Sequence, residues 1–370
     1  MTRLGVIGCG RIVEDAHAPA LLRLGDRVEV VALADPSQER RAAVARVLGS
    51  TPSEYDGWKE LFADREALDA VLIAVPHHLH TQAIVAAAEA GIDVISEKPL
   101  APTLAEIDQI GDAVDRAGVR LAVVHNWAYL PPQQAGLAAA RDGLIGDVFL
   151  IRAERLLGTS YRGRDPNAPD WRLHASTAGG GALLDAGYHD VYLAEAISNS
   201  PIVRVYATVG SIGGDHDVDD TAVALMTHAN GATTILQAGW SALAGSTLVH
   251  EIHGNSGSIR FSQPPYALLH AILLSRFDEV QELAAVLPPQ PPAEIFTRAQ
   301  PEWRPLLAPE DAGGMVDSME GALGAIFAAW DAGEPAPNGI AAGRHVVEVI
   351  RAAYTSAEQE QPVTLDSSSS

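Results

Sequence analysis

Three side chains in this sequence suit proton transfer and charge stabilisation: Lys98, Asp185 and His189. Lys98 lies in Ser96-Glu97-Lys98-Pro99, directly after a predicted strand, and an ammonium group there would polarise a substrate hydroxyl and stabilise a developing alkoxide. The other interpretation is a surface lysine in a turn. Only Lys59 and Lys98 among the 25 basic residues are lysines, which favours the catalytic interpretation.

Asp185 and His189 are four residues apart in a predicted helix from Ala182 to Ile197, so they share one face of that helix. A carboxylate bound to one imidazole nitrogen fixes the tautomer and leaves the other nitrogen as a base. An ordinary surface pair is the alternative. The preceding Gly179–Gly181 favours a functional pair, because glycines let the backbone approach a ligand closely.

The N-terminus contains a strand, a glycine turn and a helix in the order that binds a pyrophosphate. An apolar run reaches Ile7, Gly8 and Gly10 follow, and a helix is predicted from Ile12 to Leu24. Gly8 allows the tight turn, Gly10 lets the backbone approach phosphate oxygens, and the helix N-terminus favours negative charge. Val13 replaces the third glycine of the fingerprint.

The next strand, Val28–Ala34, ends at Asp35. A carboxylate at this position accepts hydrogen bonds from both ribose hydroxyls and repels a 2′-phosphate, so Asp35 predicts NAD rather than NADP. Arg40 and Arg41 lie close enough in sequence to weaken that preference.

Strands and helices alternate up to Val124, which predicts a doubly wound parallel sheet and a Rossmann domain over residues 1–124. Besides those above, this part has predicted helices at Gln38–Leu48, Trp58–Phe62, His80–Ala90 and Leu104–Ala117 and predicted strands at Ala70–Val75, Ile92–Ile95 and Arg120–Val124. The carboxyl ends of such strands form the ligand-binding edge.

Residues 125–370 are predicted to form a substrate and oligomerisation domain with an open, largely antiparallel sheet, because turn signals such as Asn230-Gly231 join adjacent strands. A closing helix is expected at about 343–357, and the serine tail 367–370 is expected to be disordered. Other predictions are a helix at Pro131–Arg141, strands at Asp147–Leu157, Val203–Val209, Thr221–Thr227, Thr233–Gln237, Leu248–His253 and Ser258–Phe261, a polar loop at Gly158–Ala178 and a surface loop at Pro288–Pro292.

Two polar segments invite a metal interpretation that the spacing does not favour. Val75, Pro76, His77 and His80 lie in a histidine-rich segment without zinc-ligand spacing, so we expect a loop over the nicotinamide ribose and no metal site. Asp215–Asp220 is acidic, and a solvated turn is a better interpretation than a cation site.

Composition limits the classes of partner. The 370 residues carry a net charge of -22, which argues against nucleic acid and anionic membranes, since both select basic surfaces. Cys9 is the single cysteine, so no internal disulfide forms, and no secretory or membrane-spanning pattern is present. A cytoplasmic protein is expected.

Taken together, these motifs resemble the glucose-fructose oxidoreductase / inositol dehydrogenase / rhizopine catabolism (Gfo/Idh/MocA) family over nearly the whole chain. The matching segments are Gly8-Cys9-Gly10-Arg11-Ile12, Ala34-Asp35-Pro36, Pro76 with His80, Glu97-Lys98-Pro99, His125-Asn126, Trp171-Arg172 and Gly179 to His189.

The resemblance implies that Lys98 is catalytic together with the pair Asp185 and His189. It also implies that Asn126, Trp171 and Arg172 border cofactor and substrate, and that the second domain supports a homodimer or homotetramer. The cofactor-binding set is then Gly8, Gly10, Arg11, Ile12, Asp35, Val75, Pro76, His77, His80, Glu97, Lys98 and Asn126. Tyr192 departs from the family pattern, because many members have aspartate three residues after the histidine.

The sequence is compatible with three functions. The first is an NAD-dependent dehydrogenase of a sugar, sugar derivative or cyclic polyol. The second is a hydrolase or lyase that retains NAD for a transient oxidation and releases no NADH. The third is a non-catalytic, sugar-responsive regulator, which the intact Lys98, Asp185 and His189 argue against.

Overall fold

A computed structural model describes residues 1–64, 68–157, 171–212, 216–241, 247–261 and 293–365 of the chain. The chain forms two compact units. The first unit comprises Met1–Leu130 and Gly314–Val347, and the second comprises Pro131–Gly313 and Glu348–Ser370. Sequence reasoning assigned everything after Val124 to one domain, whereas the structure returns residues 314–347 to the first unit.

The first unit contains a six-stranded, all-parallel sheet in the order β3-β2-β1-β4-β5-β6. This order reverses direction at β1, as in doubly wound dinucleotide-binding folds, and it confirms the predicted fold class. The strands are β1 Thr2–Ile7, β2 Val28–Ala34, β3 Ser53–Tyr55, β4 Ala70–Ile73, β5 Asp93–Ser96 and β6 Leu121–Val123.

Helices connect these strands, and capping residues mark the start and the end of α5. Thr103 and Glu106 form a capping box at the start of α5, and Gly118 in the left-handed conformation ends that helix. The predicted helix after the glycine turn includes a π-helical turn, Val13–His17, before its α-helical part. The helices are α1 Ala18–Arg23, α2 Gln38–Leu48, α3 Trp58–Ala63, α4 His77–Glu89 and α5 Leu104–Ala117.

The returning segment completes the core of the first unit. It contains helix α10, Met315–Asp331, and the start of helix α11, Ile340–Gln359, both numbered in chain order. On α10, the buried side chains Leu323, Ile326 and Phe327 join the same cluster as Leu4 on β1. This apolar packing is the physical reason that residues far along the chain belong to the first unit.

The second unit is built on a nine-stranded sheet in the order β14-β13-β12-β11-β7-β10-β9-β8-β15. Among its recorded pairings, β7 with β10 is parallel and the others are antiparallel, so the predicted, largely antiparallel sheet is confirmed. The strands are β7 Val148–Leu156, β8 Ile202–Gly210, β9 Thr221–His228, β10 Thr233–Gly239, β11 Thr247–Gly254, β12 Gly257–Phe261, β13 Ala293–Thr297, β14 Gln300–Pro305 and β15 Val363–Thr364.

Helices α6 Pro131–Arg141, α7 Ala175–Ala178, α8 Ala182–Asp185 and α9 Gly187–Ser198 also belong to the second unit. The one helix predicted from Ala182 to Ile197 is two helices in the structure, separated by Ala186 alone, whose dihedrals stay helical at φ -86° and ψ -49°. The predicted loop Gly158–Ala178 was wrong in its last part, where Trp171–Leu173 and α7 are helical. Residues 158–170, 288–292 and 367–370 lie outside the described residues.

No helix among the described residues is both long and apolar enough to cross a membrane.

Candidate active site

The two glycines of the N-terminal turn have different structural roles. Gly8 has φ +89°, and a Cβ there would overlap the carbonyl oxygen of Ala74, so the fold itself requires glycine. A Cβ on Gly10 would meet no atom within 4 Å. Packing therefore does not demand glycine at position 10, and the open space beside this backbone fits the approach of a pyrophosphate.

Asp35 supports the same turn from the end of β2. One carboxylate oxygen accepts the N–H of Cys9 at 2.8 Å, and the other accepts the N–H of Ser37 at 2.8 Å. The side chain is buried and held from both sides. Each oxygen keeps a further lone pair, so the carboxylate remains suited to accept ribose hydroxyls.

Arg41 is engaged by the protein itself. Its guanidinium lies 3.0 Å from Glu54 and 3.0 Å from Asp56, and it also donates to the carbonyl of Asp35. Because these acceptors hold a buried side chain, Arg41 is already committed to protein carboxylates. Arg41 is therefore not available to bind a 2′-phosphate, which strengthens the prediction of NAD over NADP.

The histidine-rich segment is helical where a loop was predicted. Residues His77–His80 form the first turn of α4, which starts three residues earlier than expected. The imidazole of His80 is fully buried, and its Nε2 lies 2.9 Å from the carbonyl oxygen of Val75. Burial lowers the pKa of His80, so a neutral ring donates this bond and braces the turn after β4. The described residues contain no cluster that would hold a metal ion.

Lys98 follows β5 at the carboxyl edge of the parallel sheet. The backbone N–H of Lys98 donates to the side chain of Glu97 at 3.1 Å. The Glu97 backbone N–H is held in turn by the carbonyl of Ile73 on β4, at 2.9 Å. The peptide that carries the lysine is thus attached to two strand ends at the edge where doubly wound folds bind ligands.

Asn126 lies just beyond β6 in the same unit, in the short 3₁₀ turn Asn126–Tyr129. Its side-chain amide donates to the hydroxyl of Ser318 at 3.2 Å. The neighbouring His125 is buried, and that burial lowers the pKa of His125 to about 3. This imidazole is neutral at physiological pH.

Asp185 and His189 both belong to the second unit, and both are buried. Because the helix is interrupted at Ala186, Asp185 ends α8 and His189 lies in the first turn of α9. Nδ1 of His189 is 2.9 Å from the hydroxyl of Tyr192. The residue that departs from the family pattern is therefore a direct partner of the predicted base.

Arg172 and Trp171 accompany this pair in the second unit. The guanidinium carbon of Arg172 lies 4.2 Å from the ring centroid of Trp171, within the range of a cation–π contact. Nε of Arg172 is 3.7 Å from a carboxylate oxygen of Asp185. The structure thus brings together three of the residues predicted to face the substrate.

Asp219 was missed by sequence reasoning, which treated the segment Asp215–Asp220 as a solvated turn. That prediction was wrong for Asp219 and Asp220, which are both buried; Asp215 lies outside the described residues. The Asp219 carboxylate accepts the N–H groups of Gly181 at 2.6 Å and Leu183 at 2.8 Å, and it also accepts the hydroxyl of Tyr354 at 2.6 Å.

This arrangement changes the interpretation of the triple glycine. A Cβ on Gly181 would overlap the backbone of Asp219, and a Cβ on Gly180 would lie 2.5 Å from the Tyr354 hydroxyl. Glycine is therefore required here because Asp219 and Tyr354 of the protein approach the backbone closely, and not because a ligand does. This close approach fixes the start of α8, the helix that ends at Asp185.

A buried ion network under α9 was also missed. Arg155 donates two hydrogen bonds of 2.8 Å to Asp190, and Nε2 of His250 lies 2.8 Å from the same carboxylate. Burial alone would raise the pKa of Asp190, but the Arg155 charge and the His250 hydrogen bond lower it to about 2. Arg155 and Asp190 are 35 residues apart, so no local sequence pattern indicates that they pair.

Two family models match the chain. Residues 2–125 match "Oxidoreductase family, NAD-binding Rossmann fold", and residues 137–260 match "GFO/IDH/MocA C-terminal domain". A 1,5-anhydro-D-fructose reductase of Ensifer adhaerens is 30% identical over 260 residues, which is 70% of this chain and 75% of that protein. The chain belongs to the Gfo/Idh/MocA family. The predicted family and its NAD-binding character are confirmed.

A levoglucosan dehydrogenase of Pseudarthrobacter phenanthrenivorans is 33% identical over 258 residues. That match covers 63% of this chain and 64% of the relative's length. A solved structure of levoglucosan dehydrogenase in complex with NADH has a TM-score of 0.82 and 24% sequence identity, covering 99% of both chains. The likeness of the two structures supports the predicted fold of this Gfo/Idh/MocA member.

Proposed function

We propose that the protein oxidises a hydroxyl group of a sugar, a sugar derivative or a cyclic polyol, with NAD as the hydride acceptor. The proposal is carried by the buried residues Asp185 and His189 and by the half-buried Arg172 beside Asp185. The other unit of the chain has the dinucleotide turn and Lys98. Relatives named as levoglucosan dehydrogenase and myo-inositol 2-dehydrogenase support a polyhydroxylated ring as the substrate.

In this proposal His189 accepts the proton of the substrate hydroxyl. A neutral imidazole whose Nδ1–H donates to the oxygen of Tyr192 presents Nε2 as the base. Lys98 donates a hydrogen bond to the same substrate oxygen and stabilises the negative charge that develops there. Bound NAD supplies the nicotinamide carbon that takes up the hydride.

Asp185 and Arg172 orient the remaining hydroxyls. A hydroxyl group both donates and accepts hydrogen bonds. The Asp185 carboxylate accepts them and the Arg172 guanidinium donates them, so the pair suits both roles. Asn126, Trp171 and the first turn of α4 stay in the proposed binding set. We also propose that Asp35 selects NAD over NADP, supported by the engagement of Arg41 with Glu54 and Asp56.

A Gly10→Val variant tests the dinucleotide site. The added side chain enters open space, so the unfolding temperature is expected to stay close to that of the wild type, while NAD binding is lost. Calorimetric titration with NAD and NADP measures both affinities. Unchanged NAD affinity in the folded variant would remove this turn from the site, and tighter NADP binding by the wild type would overturn the role given to Asp35.

A screen of sugars and inositols with added NAD, read by the absorbance of NADH, tests the reaction. Oxidation of at least one polyol with release of NADH is expected. Product formation without net NADH would favour the retained-NAD hydrolase or lyase instead. Sugar binding without any turnover would favour the regulator.

The second-unit sheet supports the predicted homodimer or homotetramer. Tyr206 on β8 and Leu225 on β9 are paired across the strands, and with Val223 they expose between 42% and 48% of their surface on one face. Adjacent exposed apolar side chains on an open sheet are typical of a protein interface. We propose that a second copy of the chain covers this face.

A Leu225→Glu variant tests the interface, because a charge in an apolar contact disfavours association. Light scattering after gel filtration is expected to show an oligomer for the wild type and a lower mass for the variant. The matched control is Leu22→Glu, which places the same charge on an exposed apolar side chain of α1 in the first unit and is expected to leave the mass unchanged. A monomeric wild type would contradict the proposal.

A further inference from the structure

A buried contact in the first unit joins residues that lie 80 positions apart. Nε2 of His17 is 2.7 Å from Oε1 of Glu97. The His17 side chain is fully buried, and only 12% of the Glu97 side chain is exposed. Burying a carboxylate costs free energy unless hydrogen bonds satisfy it, and the imidazole supplies one of them.

The charge of Glu97 is set by its neighbours. Burial alone would raise the pKa of Glu97, but the hydrogen bond from His17 and the charge of Lys98 outweigh that effect and lower the pKa. His80 and His125 also face this carboxylate, and burial lowers the pKa of both imidazoles. Glu97 is therefore an acceptor at neutral pH, and Nε2 of His17 is the donor.

The second oxygen of Glu97 serves the lysine. It accepts the backbone N–H of Lys98 at 3.1 Å, so a single carboxylate connects the imidazole of His17 to that peptide. The hydroxyl of Ser96 also donates to the Glu97 carbonyl at 2.9 Å. Glu97, the residue before Lys98, is thus bound by Ser96 of β5 at its carbonyl and by His17 at its side chain.

His17 reaches this position because the turn that follows the glycine loop is π-helical. The N–H of Ala18 donates to the carbonyl of Val13, five residues earlier, and the wide turn buries Val13, Ala16 and His17. The Gly10 carbonyl accepts the N–H of Val13 at 2.9 Å, so the turn is continuous with the dinucleotide loop. Single π-helical turns of this kind often lie at functional sites.

We propose that His17 and Glu97 are positioning residues for Lys98, which couple the helical turn after the dinucleotide loop to the peptide of the lysine. This inference rests on the catalytic role proposed for Lys98. Loss of the His17 donor would leave a buried carboxylate short of a hydrogen bond, so Glu97 would shift and Lys98 would move with it.

Selective ¹³C labelling of lysine tests the coupling without any substrate. The chain has two lysines, so Lys59→Arg assigns both side-chain signals, and the exposed Lys59 is an internal control. His17→Phe keeps a ring but removes the donor. It is expected to move the Lys98 signal and to leave that of Lys59 in place. An unmoved Lys98 signal would overturn the proposal.

Two further variants separate positioning from general destabilisation. His17→Gln restores an N–H donor and is expected to return the Lys98 signal toward its wild-type position; failure to do so would overturn the role of the hydrogen bond. Arg120→Met removes the ion pair of 2.6 Å with Asp93 at the other end of β5. Movement of the Lys98 signal in this control would also contradict the proposal. If His17→Phe does not fold, His17→Met removes the same donor.

Turnover gives a second readout. A displacement of about 1 Å costs up to about 100-fold in rate, so His17→Phe is expected to lower kcat by about 10-fold or more. The dissociation constant of NAD and the KM of the polyol are expected to change little. If the wild type oxidises no polyol, the proposed function fails while the lysine signals still decide the positioning role.

Discussion

At the scale of single residues, the proposed base His189 has a phenol as its hydrogen-bond partner. Tyr192 and His189 are both buried, and Nδ1 lies 2.9 Å from the hydroxyl. A phenol that accepts from Nδ1–H orients the ring but adds no negative charge beside it. In the proposed reaction, an imidazolium at His189 is therefore stabilised less by this partner than it would be by a carboxylate.

His189→Ala is expected to lower kcat by about 10²–10⁴-fold, the usual contribution of a positioned general base. NAD affinity is expected to stay unchanged, because the role proposed for His189 is at the substrate hydroxyl. Steady-state kinetics on a polyol substrate and calorimetry with NAD measure the two effects. The half-buried His253 on β11 gives a control, His253→Ala, and near-normal turnover in His189→Ala would exclude His189 as the base.

Sequence reasoning identified residues by type and spacing, and it failed where a contact depends on tertiary structure. The positions of Gly8, Asp35 and Lys98 relative to strand ends follow from local patterns. The partners Asp219 and His17 come from distant segments, and no local pattern indicates them. Roles in catalysis assigned to Lys98, Asp185 and His189 remain predictions.

At the scale of elements, the helices with a clear start and stop were predicted to the residue. The bounds of α2 and α5 match because Ser37 and Thr103 cap their first turns, while Gly49 and Gly118 end them. The interruption at Ala186 was missed, since no proline marks it and alanine itself favours a helix. The buried carboxylate of Asp219, which holds the start of α8, is invisible to a helical pattern.

Gly181→Ala is expected to destabilise the second unit, because the added methyl group overlaps the backbone of Asp219. Overpacking of this kind typically costs about 1–3 kcal/mol of unfolding free energy. Urea unfolding measures the change. The matched control is Gly111→Ala in α5, where a Cβ meets nothing within 4 Å and alanine should stabilise the helix by roughly 0.5–1 kcal/mol. Equal stability of the two variants would contradict the packing argument.

At the scale of the whole molecule, a buried histidine links stability to pH. Burial lowers the pKa of His125 to about 3, so the folded chain keeps this imidazole neutral while the unfolded chain protonates it near pH 6.5. The unfolded state therefore binds more protons between these values. Stability falls as the pH is lowered from about 6.5 toward 3, by up to about 1.4 kcal/mol per pH unit.

His125→Gln is expected to flatten this dependence, because an amide does not titrate. Urea midpoints of wild type and variant at pH 7.0 and pH 4.5 measure it, and the gap between the two midpoints should shrink in the variant. The exposed His174 gives a control, since His174→Gln should leave the gap as in the wild type. An unchanged gap in His125→Gln would contradict the assignment.

The return of residues 314–347 to the first unit has a consequence for the order of synthesis. A ribosome that has made the first 130 residues has released a sheet without Leu323, Ile326 and Phe327, which complete its core. At about 5–20 residues per second, those side chains follow roughly 10 to 40 seconds later. During that interval the nascent first unit exposes apolar surface, so chaperones have a defined window in which to bind it. Residues 131–313 of the second unit are synthesised before the first unit is able to close.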